Sequence, residues 1–600
     1  MSDTPTRRAR LLTVLFPALL APAQLLLFGP YTTYAHNRAE FAVSFRSLAT
    51  EWLWLLGAVV FTLAAVGVFL PGRLLKPYVA LLFGLGLLLW LQGNLLLADY
   101  GPLYGEGLDL ASHAWRAPYE LGLWVAGLGL ALCFSRAISS VAPLVSGVLI
   151  VAQTAILASA AASGHELQPE GRPLRQWSSP PDRIYRLSRE RNVIHIVLDG
   201  FLSEIFGEIL ARERATFDRD FSGFVFFADH LGAFPSTRAS MPAMQTGIAY
   251  RNDRPFEIFR REIARKPSIA KVLARQRYRI HSVSFHHGEH PPPSLRHRVV
   301  RYRIPTPYGS YESYVRLAAA QVLDLTLFRH VPHGLKSRVY NDDAWLVQRR
   351  LVEQSRASKA RSFRASNHVA FLDEATARMT VGFRLPVYLF IHVAIPHPPI
   401  VVDADCSFIG RQPRNRTTFA AQARCGLTVV QRLLDKLRAL GVYDRSIILL
   451  TSDHGWYLPR ADHPLRHLKS PVGSLDRVAL GAMPLLAIKP AGRSGPLQTS
   501  YAPTALTDIP ATILDLVSLK SDSLPGEPAF GLDATSRRRR TYAFHTWRNA
   551  DWSRPYFDVL HLFAVEGRVL DPGAWAFEKS ILDPTRGAAT GTSPAGDRGK

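Results

Sequence analysis

Two apolar runs of this sequence end in side chains that bind divalent metals. Val193–Leu198 leads into Asp199-Gly200, and Ser446–Thr451 leads into Ser452-Asp453-His454. Carboxylate oxygens and imidazole nitrogens are common ligands of divalent cations. Two carboxylates brought together without a cation repel each other, and one then takes up a proton. The residue types therefore predict a metal site, although an aspartate after a strand is, taken alone, more often a turn or cap residue.

These side chains converge only if their runs are neighbouring strands of one sheet. Further strand candidates and helical patterns alternate along the same region: strands at Arg279–Phe285, Val387–Val393 and Pro484–Ile488, helices at Ile269–Arg277 and Thr418–Leu440. Such alternation is typical of an α/β domain with a mostly parallel central sheet. Because ligands bind at the carboxyl ends of strands in such sheets, we expect the two motifs to meet at one edge.

Five sequence blocks occur in an order that is specific in combination: Asn192–Gly200, Thr237–Gly247, Ile391–Pro399, Ile447–Gly455 and Thr507–Asp515. This series resembles the sulfatase branch of the alkaline phosphatase superfamily over roughly residues 190–520. With several apolar segments ahead of it, the chain is also similar to lipoteichoic acid synthases and lipid A phosphoethanolamine transferases. The resemblance implies a sulfatase-like fold and a bound divalent metal ion. Zinc or manganese is the expected metal, and calcium or magnesium is the alternative.

The resemblance also implies a nucleophile at the start of the second block. Counting back from Thr246-Gly247 places Thr237 at the nucleophile position and Ser240 at the motif serine, a substrate-binding position. Threonine cannot be converted to formylglycine, so this block favours direct attack by a threonine oxygen over sulfatase chemistry. Ser236 and Ser240 remain competing nucleophiles.

A threonine hydroxyl needs a base or a metal to act as a nucleophile at neutral pH. We expect Asp199, Asp453 and His454 to hold a metal that also binds the Thr237 oxygen and stabilises its alkoxide. Lipoteichoic acid synthases and phosphoethanolamine transferases carry glutamate where this chain has Asp199. Sulfatases and phosphodiesterases of the superfamily carry aspartate there, so a two-metal phosphodiesterase site is a further alternative.

Four histidines near these motifs are candidates for other roles. His397, in the loop Pro396-His397-Pro398-Pro399, is predicted to contact the substrate or to protonate the leaving group, and the alternative is a rigid turn with an incidental histidine. His463 and His467 follow the metal strand as substrate-binding candidates, and one of them is predicted to reach the phosphate or a second metal. His392 lies inside an apolar strand pattern and is predicted to be structural.

The N-terminal region carries stretches that approach the roughly 20 apolar residues of a bilayer span. Five spans are predicted, at about 11–29, 52–70, 78–98, 119–134 and 141–162. For the first of them, a cleaved signal peptide is the alternative. Six Lys/Arg residues lie in the loops on one side of these spans and three on the other, which places the N-terminus in the cytoplasm. The fold class is therefore an α-helical transmembrane bundle of about five spans followed by a sulfatase-like α/β domain.

Composition divides the rest of the chain. We expect a transmembrane region at 1–162, a Pro-rich linker at 163–191, a catalytic domain at 192–535, its C-terminal extension at 536–582 and a disordered tail at 583–600. Five spans place the catalytic domain outside the plasma (inner) membrane of a bacterial-type cell, in the periplasm or extracellular space. In that oxidising compartment Cys406 and Cys425 are predicted to form a disulfide.

The formal net charge is +23, from 71 Lys+Arg against 48 Asp+Glu. No zinc-finger spacing, Walker loop or RNA-binding signature accompanies this charge, so a nucleic-acid partner is not expected. The densest basic run, Arg537–Arg540, is interpreted as a solvated loop, or else as a site for anionic lipid headgroups.

These features favour a metal-dependent membrane phosphotransferase that moves a phospho-headgroup from a membrane lipid donor to an anionic envelope glycolipid or polymer. The alternative is a membrane-tethered hydrolase of phosphate or sulfate esters.

Overall fold

The computed structural model divides into two compact units, and the second interrupts the first. Unit 1 comprises residues 1–178 with 308–359, and unit 2 comprises 179–307 with 360–600. The residues that the structure describes are 7–38, 41, 43–98, 100, 110–163, 167–168, 182–285, 298–304, 311–340, 345–352, 364–519, 524–547 and 554–585. Much of the predicted linker 163–191 and most of the predicted tail 583–600 lie outside them.

The helices and strands are numbered in chain order. The α-helices are α1 (Arg7–Ala23), α2 (Gly29–His36), α3 (Phe45–Ala49), α4 (Leu53–Phe69), α5 (Gly72–Asn94), α6 (Arg116–Cys133), α7 (Ser135–Ser163), α8 (Ser203–Arg212), α9 (Arg214–Asp220), α10 (Thr237–Thr246), α11 (Phe256–Ile263), α12 (Ile269–Arg275), α13 (Tyr311–His330), α14 (His333–Tyr340), α15 (Leu346–Val352), α16 (Arg364–Arg378), α17 (Arg416–Ala439), α18 (Leu475–Gly481) and α19 (Ile509–Leu516). The strands are β1 (Arg186–Ser188), β2 (Asn192–Leu198), β3 (Val225–Phe227), β4 (Arg279–Ser284), β5 (Val299–Arg303), β6 (Thr380–Phe383), β7 (Val387–Val393), β8 (Ser446–Thr451), β9 (Lys469–Ser470), β10 (Gly473–Ser474), β11 (Leu486–Lys489), β12 (Gln498–Ser500), β13 (Arg539–Phe544), β14 (Val559–Glu566) and β15 (Trp575–Leu582).

Unit 1 is the membrane part of the chain. Three helical stretches in the described residues are long and apolar enough to cross a bilayer: Arg7–His36, Gly72–Asn94 and Ser135–Ser163. The first is continuous, because a π-helical turn at Gln24–Phe28 joins α1 to α2. The remaining two predicted spans coincide with α4 and α6, which are apolar but shorter, at 17 and 18 residues.

Residues 308–359 belong to unit 1, although we expected them in the catalytic domain at 192–535. The reason is apolar packing. Side chains of α13, among them Tyr314 and Val322, share a buried cluster with Tyr34 of α2 and Trp52 before α4. Chain order alone assigned this segment to the α/β domain, whereas its apolar face is buried against the membrane helices.

Unit 2 is built on an eight-stranded sheet in the order β12-β3-β11-β8-β2-β7-β4-β5. All strands run parallel except β11, which pairs antiparallel with β3 and β8. The predicted mostly parallel α/β sheet is therefore confirmed. The motif strands β8, β2 and β7 are consecutive neighbours at its centre, so their carboxyl ends meet.

Helices cover both faces of this sheet, which explains why β2 is mostly apolar and is buried along its whole length. Ile194, Ile196 and Leu198 point into one core, while Val193 and Val197 point into the other. Asn415 is the N-cap of helix α17, and its side chain accepts a hydrogen bond from the Thr418 amide as part of a capping box.

The C-terminal region forms a separate antiparallel sheet, β13-β14-β15. Its first strand contains Arg539 and Arg540 of the basic run, which is not a solvated loop. Arg540 is buried and pairs with Asp229 at 2.9 Å, and Arg539 pairs with Glu578. Strand β1 lies inside the predicted linker 163–191, but it pairs parallel with β6. Residues Arg186–Ser188 therefore belong to the folded domain and not to a linker.

Candidate active site

A buried cluster of acidic and histidine side chains lies at the carboxyl ends of the three central strands. Asp199 follows β2, His392 lies near the end of β7, and Asp453 follows β8. One potential ligand atom from each lies within 4.8 Å of the others. His454 completes the group, with its Nε2 atom 3.5 Å from Asp199 Oδ1 and 3.6 Å from Asp453 Oδ2.

The predicted nucleophile reaches the same cluster. Thr237 Oγ1 lies 3.4 Å from His454 Nε2. The four residues predicted to form the metal site, Asp199, Thr237, Asp453 and His454, are thus brought together in the structure. Their assignment as ligands stays a prediction.

The proton on His454 can be placed from its partners. Its Nδ1 atom donates to the carbonyl oxygen of Gly455 at 2.7 Å, since a carbonyl only accepts. In the neutral ring Nε2 therefore carries a lone pair, and this lone pair faces two carboxylates and the Thr237 hydroxyl. The carboxylates and a neutral Nε2 are all acceptors, and a cation is what such a group of acceptors binds.

The residues present fit a divalent cation. Asp199 Oδ1 and Asp453 Oδ2 are buried and have no hydrogen-bond partner among the described residues. Separations of 3.5–3.6 Å between their atoms and His454 Nε2 are close to the spacing of two ligands on one tetrahedral ion with bonds of about 2.1 Å. The arrangement does not by itself distinguish zinc from manganese, calcium or magnesium.

The environment of Asp199 favours its charged form. Burial alone would raise the pKa of this carboxyl, but the neighbouring imidazoles of His397 and His392 outweigh burial and hold the pKa well below its usual range. The next residue, Gly200, has a φ of +70° and donates its amide to Asp453 Oδ1 at 3.2 Å. A left-handed residue is needed here to turn the chain back onto the cluster, and glycine adopts it without strain.

Thr237 occupies the first position of helix α10, and Ser236 is the N-cap. The partial positive charge of a helix N-terminus therefore lies beside the threonine oxygen and favours its alkoxide. The competing nucleophile Ser240 is fully buried and donates its hydroxyl to the Phe234 carbonyl at 3.0 Å. This bond places Ser240 as a support for the loop before α10.

His397 borders the cluster on the side of the Pro-His-Pro-Pro loop and is half-buried. Its ring lies 6.5 Å from the ring of His454 and 4.8 Å from that of Trp456. Gln422 of α17 holds this loop, donating to the Pro396 carbonyl at 3.0 Å and accepting from the Val401 amide at 2.9 Å. His397 is thus a fixed side chain at the mouth of the site.

The structure joins Cys406 and Cys425 in a disulfide, with Cα atoms 4.9 Å apart, as predicted. The bridge links the chain after the Pro-His-Pro-Pro loop to α17. Closing a loop of 19 residues contributes about 3 kcal/mol to stability in the chain-entropy model.

The other two candidate substrate residues lie apart from the cluster contacts. His463 is buried, with Nε2 at 3.5 Å from Glu204 Oε1 in a group that also contains Arg460 and Arg416. His467 is exposed on the following loop. No described contact joins either side chain to Thr237 or Asp453, so their predicted substrate contacts have no support in this geometry.

Sequence reasoning missed the placement of His392, which it took as structural. Its Nε2 atom lies 3.5 Å from Asp199 Oδ2. The signal was present in the sequence, because His392 is the penultimate residue of the strand candidate Val387–Val393, close to the carboxyl end where the site was expected. Trp456 was also missed, and it packs between His397 and His454 beside Gly200.

Comparisons with known proteins agree with this geometry. A family model described as Sulfatase matches residues 346–519, a range that contains His392, His397, Asp453 and His454. No curated protein matches the chain at a significant level.

Two similar solved structures are a phosphonate monoester hydrolase, SpPMH from Silicibacter pomeroyi, and the lipoteichoic acid synthase LtaP from Listeria monocytogenes. The hydrolase is 16% identical, with 67% of this chain and 93% of that chain covered and a TM-score of 0.40. The synthase is 11% identical, with 67% of this chain and 89% of that chain covered and a TM-score of 0.33. Scores this low carry no inference about activity.

The matched residues contain three of the cluster side chains, and the central strands bring Asp199 and Thr237 to the same point. Residues 346–519, which lie largely in unit 2, therefore resemble the Sulfatase family in sequence.

Proposed function

We propose that this chain is a metal-dependent membrane phosphotransferase that moves a phospho-headgroup from a lipid donor to a cell-envelope acceptor. The observation that carries the proposal is the Thr237 hydroxyl at the N-terminus of α10, 3.4 Å from His454 Nε2 beside two buried carboxylates. Helices in the same chain that are long and apolar enough to cross a membrane would keep such an enzyme close to a lipid substrate.

Asp199, His392, Asp453 and His454 would hold the divalent metal. When bound, it supplies positive charge that lowers the pKa of the threonine hydroxyl and offsets negative charge on the phosphoryl group. The Thr237 oxygen attacks phosphorus, its proton passes to His397 Nε2, and the bond from phosphorus to the lipid alkoxide breaks. A phosphothreonine forms on the protein.

His397 is positioned to protonate the leaving group. Its Nδ1 donates to the Pro398 carbonyl at 2.6 Å, which leaves Nε2 as the nitrogen that can accept a proton. Nε2 can then donate this proton to the departing alkoxide. In the second half-reaction the acceptor hydroxyl attacks the phosphothreonine and gives its proton to the same nitrogen. Thr237 then regains its hydroxyl.

The alternative is a membrane-tethered hydrolase of phosphate or sulfate esters, with water as the acceptor. The Sulfatase match and the aspartate at position 199 favour this reading. Purified protein with lipid donors and envelope acceptors distinguishes the two by mass spectrometry. Released headgroup without transferred product means hydrolysis.

Partners and location follow from the same proposal. The donor is a membrane lipid, the acceptor is an anionic glycolipid or polymer of the envelope, and no nucleic acid takes part. We propose that the N-terminus is cytoplasmic and that unit 2 lies in the periplasm or outside the cell, in a bacterial-type plasma membrane.

Substitution of Thr237 tests the nucleophile. We expect Thr237→Ala to lower turnover by at least a thousandfold, because no covalent adduct can form, while Thr237→Ser retains measurable turnover. Intact-mass analysis after donor addition should detect a phospho-adduct on the wild type and none on the alanine variant. Full metal-dependent turnover by folded Thr237→Ala would show that the nucleophile assignment is wrong.

A further inference from the structure

The geometry points to His545 as a positioning residue that holds the Ser236 hydroxyl away from the N-terminus of α10. The first-turn amides of that helix then stay available to the oxygens of the phosphoryl group that Thr237 attacks. This inference rests on the proposed function, since it concerns the same nucleophile and the same anionic group.

Ser236 has the backbone of an N-cap but not the usual side-chain bond. Its φ and ψ are −148° and 147°, and its side chain makes no capping hydrogen bond. Serine is among the strongest N-cap residues because its oxygen normally accepts from the second or third amide of the helix. Here the hydroxyl instead lies 3.0 Å from His545 Nε2, a residue 309 positions away.

His545 is fixed in place and cannot follow the serine. It is buried and stacks on Phe557, with ring centroids 4.0 Å apart and an interplanar angle of 13°. Phe557 is held in turn by both its backbone groups, which bond to the Asn252 side chain at 3.0 Å. Two positions before His545, the Ala543 amide donates to the Ala233 carbonyl, which anchors the strand to the loop that leads into α10.

The state of the imidazole suits this role. Burial and, secondly, the nearby charge of Arg238 lower the pKa of His545 to about 3, so the ring is neutral at neutral pH. A neutral ring pairs with a hydroxyl without placing a second charge beside the nucleophile.

The consequence for an anionic group follows from helix geometry. Uncapped amides at a helix N-terminus bind phosphate oxygens, and donors held ready at a reacting centre stabilise charge as it develops. If the His545 bond is lost, Ser236 can rotate onto the first turn of α10 and cap it. The serine oxygen would then compete with the oxygens of the phosphoryl group.

This competition predicts a specific pattern in a double-mutant cycle. We would measure binding of inorganic phosphate to the purified full-length, metal-loaded protein by calorimetry. His545→Met, which fills the same space without a hydrogen bond, is expected to weaken phosphate binding about fivefold, the size of one capping interaction. In the double variant Ser236→Ala/His545→Met, affinity should return to within about twofold of Ser236→Ala, because no oxygen remains to cap the helix.

The matched control is His230, another buried histidine, whose Nδ1 lies 3.0 Å from the hydroxyl of Thr504. His230→Met is expected to leave phosphate affinity unchanged. Equal weakening in His545→Met and in the double variant would mean that His545 only supports packing, and would overturn the inference. So would unchanged affinity in folded His545→Met.

A conservative variant covers the case in which His545→Met does not fold. Glutamine can donate to or accept from Ser236, so folded His545→Gln should keep phosphate affinity within about twofold of wild type. A fivefold loss in that variant would contradict the proposal. Phosphate binding does not require turnover, so a wild type that binds phosphate but transfers no headgroup would refute the proposed function and leave this test intact.

Discussion

At the scale of single residues, His392 is a candidate fourth protein ligand for a metal. It is fully buried on the central strand β7, and its Nε2 atom lies 3.5 Å from Asp199 Oδ2. Together with Asp199, Asp453 and His454 it gives two carboxylates and two imidazoles from three adjacent strands. Carboxylate oxygens and imidazole nitrogens are both common ligands of divalent cations.

We expect His392→Ala to weaken metal binding tenfold or more, because a buried ligand is lost and nothing replaces it. Metal content after dialysis against defined free metal, read by mass spectrometry, measures the change. His195→Ala is the control, since His195 is equally buried on neighbouring β2 but pairs with Thr451 at 3.0 Å, outside the cluster. Metal affinity that is equal in the two variants would rule out His392 as a ligand.

At the scale of elements, the segment α13–α15 is fastened to the membrane helices by a buried polar group. Glu120 of α6 accepts hydrogen bonds from Arg116 Nε at 2.7 Å, Gln92 Nε2 at 3.0 Å and the His333 amide at 2.6 Å. The third bond satisfies an amide at the start of α14. Helix α13 also lies close to the bundle, and a Cβ atom on Gly93 would lie 2.2 Å from His330 Nε2.

We expect Glu120→Ala to release α14 locally, because three donors lose one buried acceptor at a total of about 3 kcal/mol or more. Hydrogen exchange of the His333 amide should become at least a hundredfold faster. Gln153→Ala is the control, since it removes two side-chain bonds elsewhere in unit 1, one from Gln24 and one to the Leu149 carbonyl. Unchanged protection of His333 in Glu120→Ala would show that packing alone holds the segment.

At the scale of the whole molecule, the contacts inside unit 1 define two ends of the helix bundle. One end gathers Tyr34, Trp52, Ala160 and Tyr314 in one apolar cluster, so the chain leaves α7 and re-enters unit 1 at α13 on the same side. At the other end, Arg10 near the N-terminus donates to the Leu70 carbonyl at 2.9 Å in the turn between α4 and α5. Arg10 and this apolar cluster therefore lie at opposite ends of the helix bundle. With the five crossings that we propose, the N-terminus lies in the cytoplasm and unit 2 lies outside.

Labelling of introduced cysteines tests this orientation in a Cys133→Ser background. A cysteine at the exposed position Asp571 of unit 2 should react with a membrane-impermeant maleimide in intact spheroplasts. A cysteine at exposed Arg73, in the turn between α4 and α5, should react only after lysis. The reverse pattern would place unit 2 in the cytoplasm.

The sequence by itself determined those features that are local. Asp199 and Asp453-His454 were found because each follows an apolar run. The apolar helices between residues 7 and 163 were found because their apolar stretches are long. Strand bounds at Val387–Val393 and Ser446–Thr451 agree with the structure residue for residue. Periodicity and run length are written into consecutive residues, so no knowledge of the fold is needed to read them.

Only the tertiary structure decided several other pairings of distant residues. His392 joins Asp199 across neighbouring strands, His545 reaches Ser236, and Arg540 of the basic run is buried against Asp229. Helix α13 packs with the membrane helices although residues 179–307 and 360–600, on both sides of its segment, belong to unit 2. These pairings depend on strand order and on which apolar faces find each other, and a buried contact between residues about 200 to 300 positions apart leaves no pattern in the local sequence.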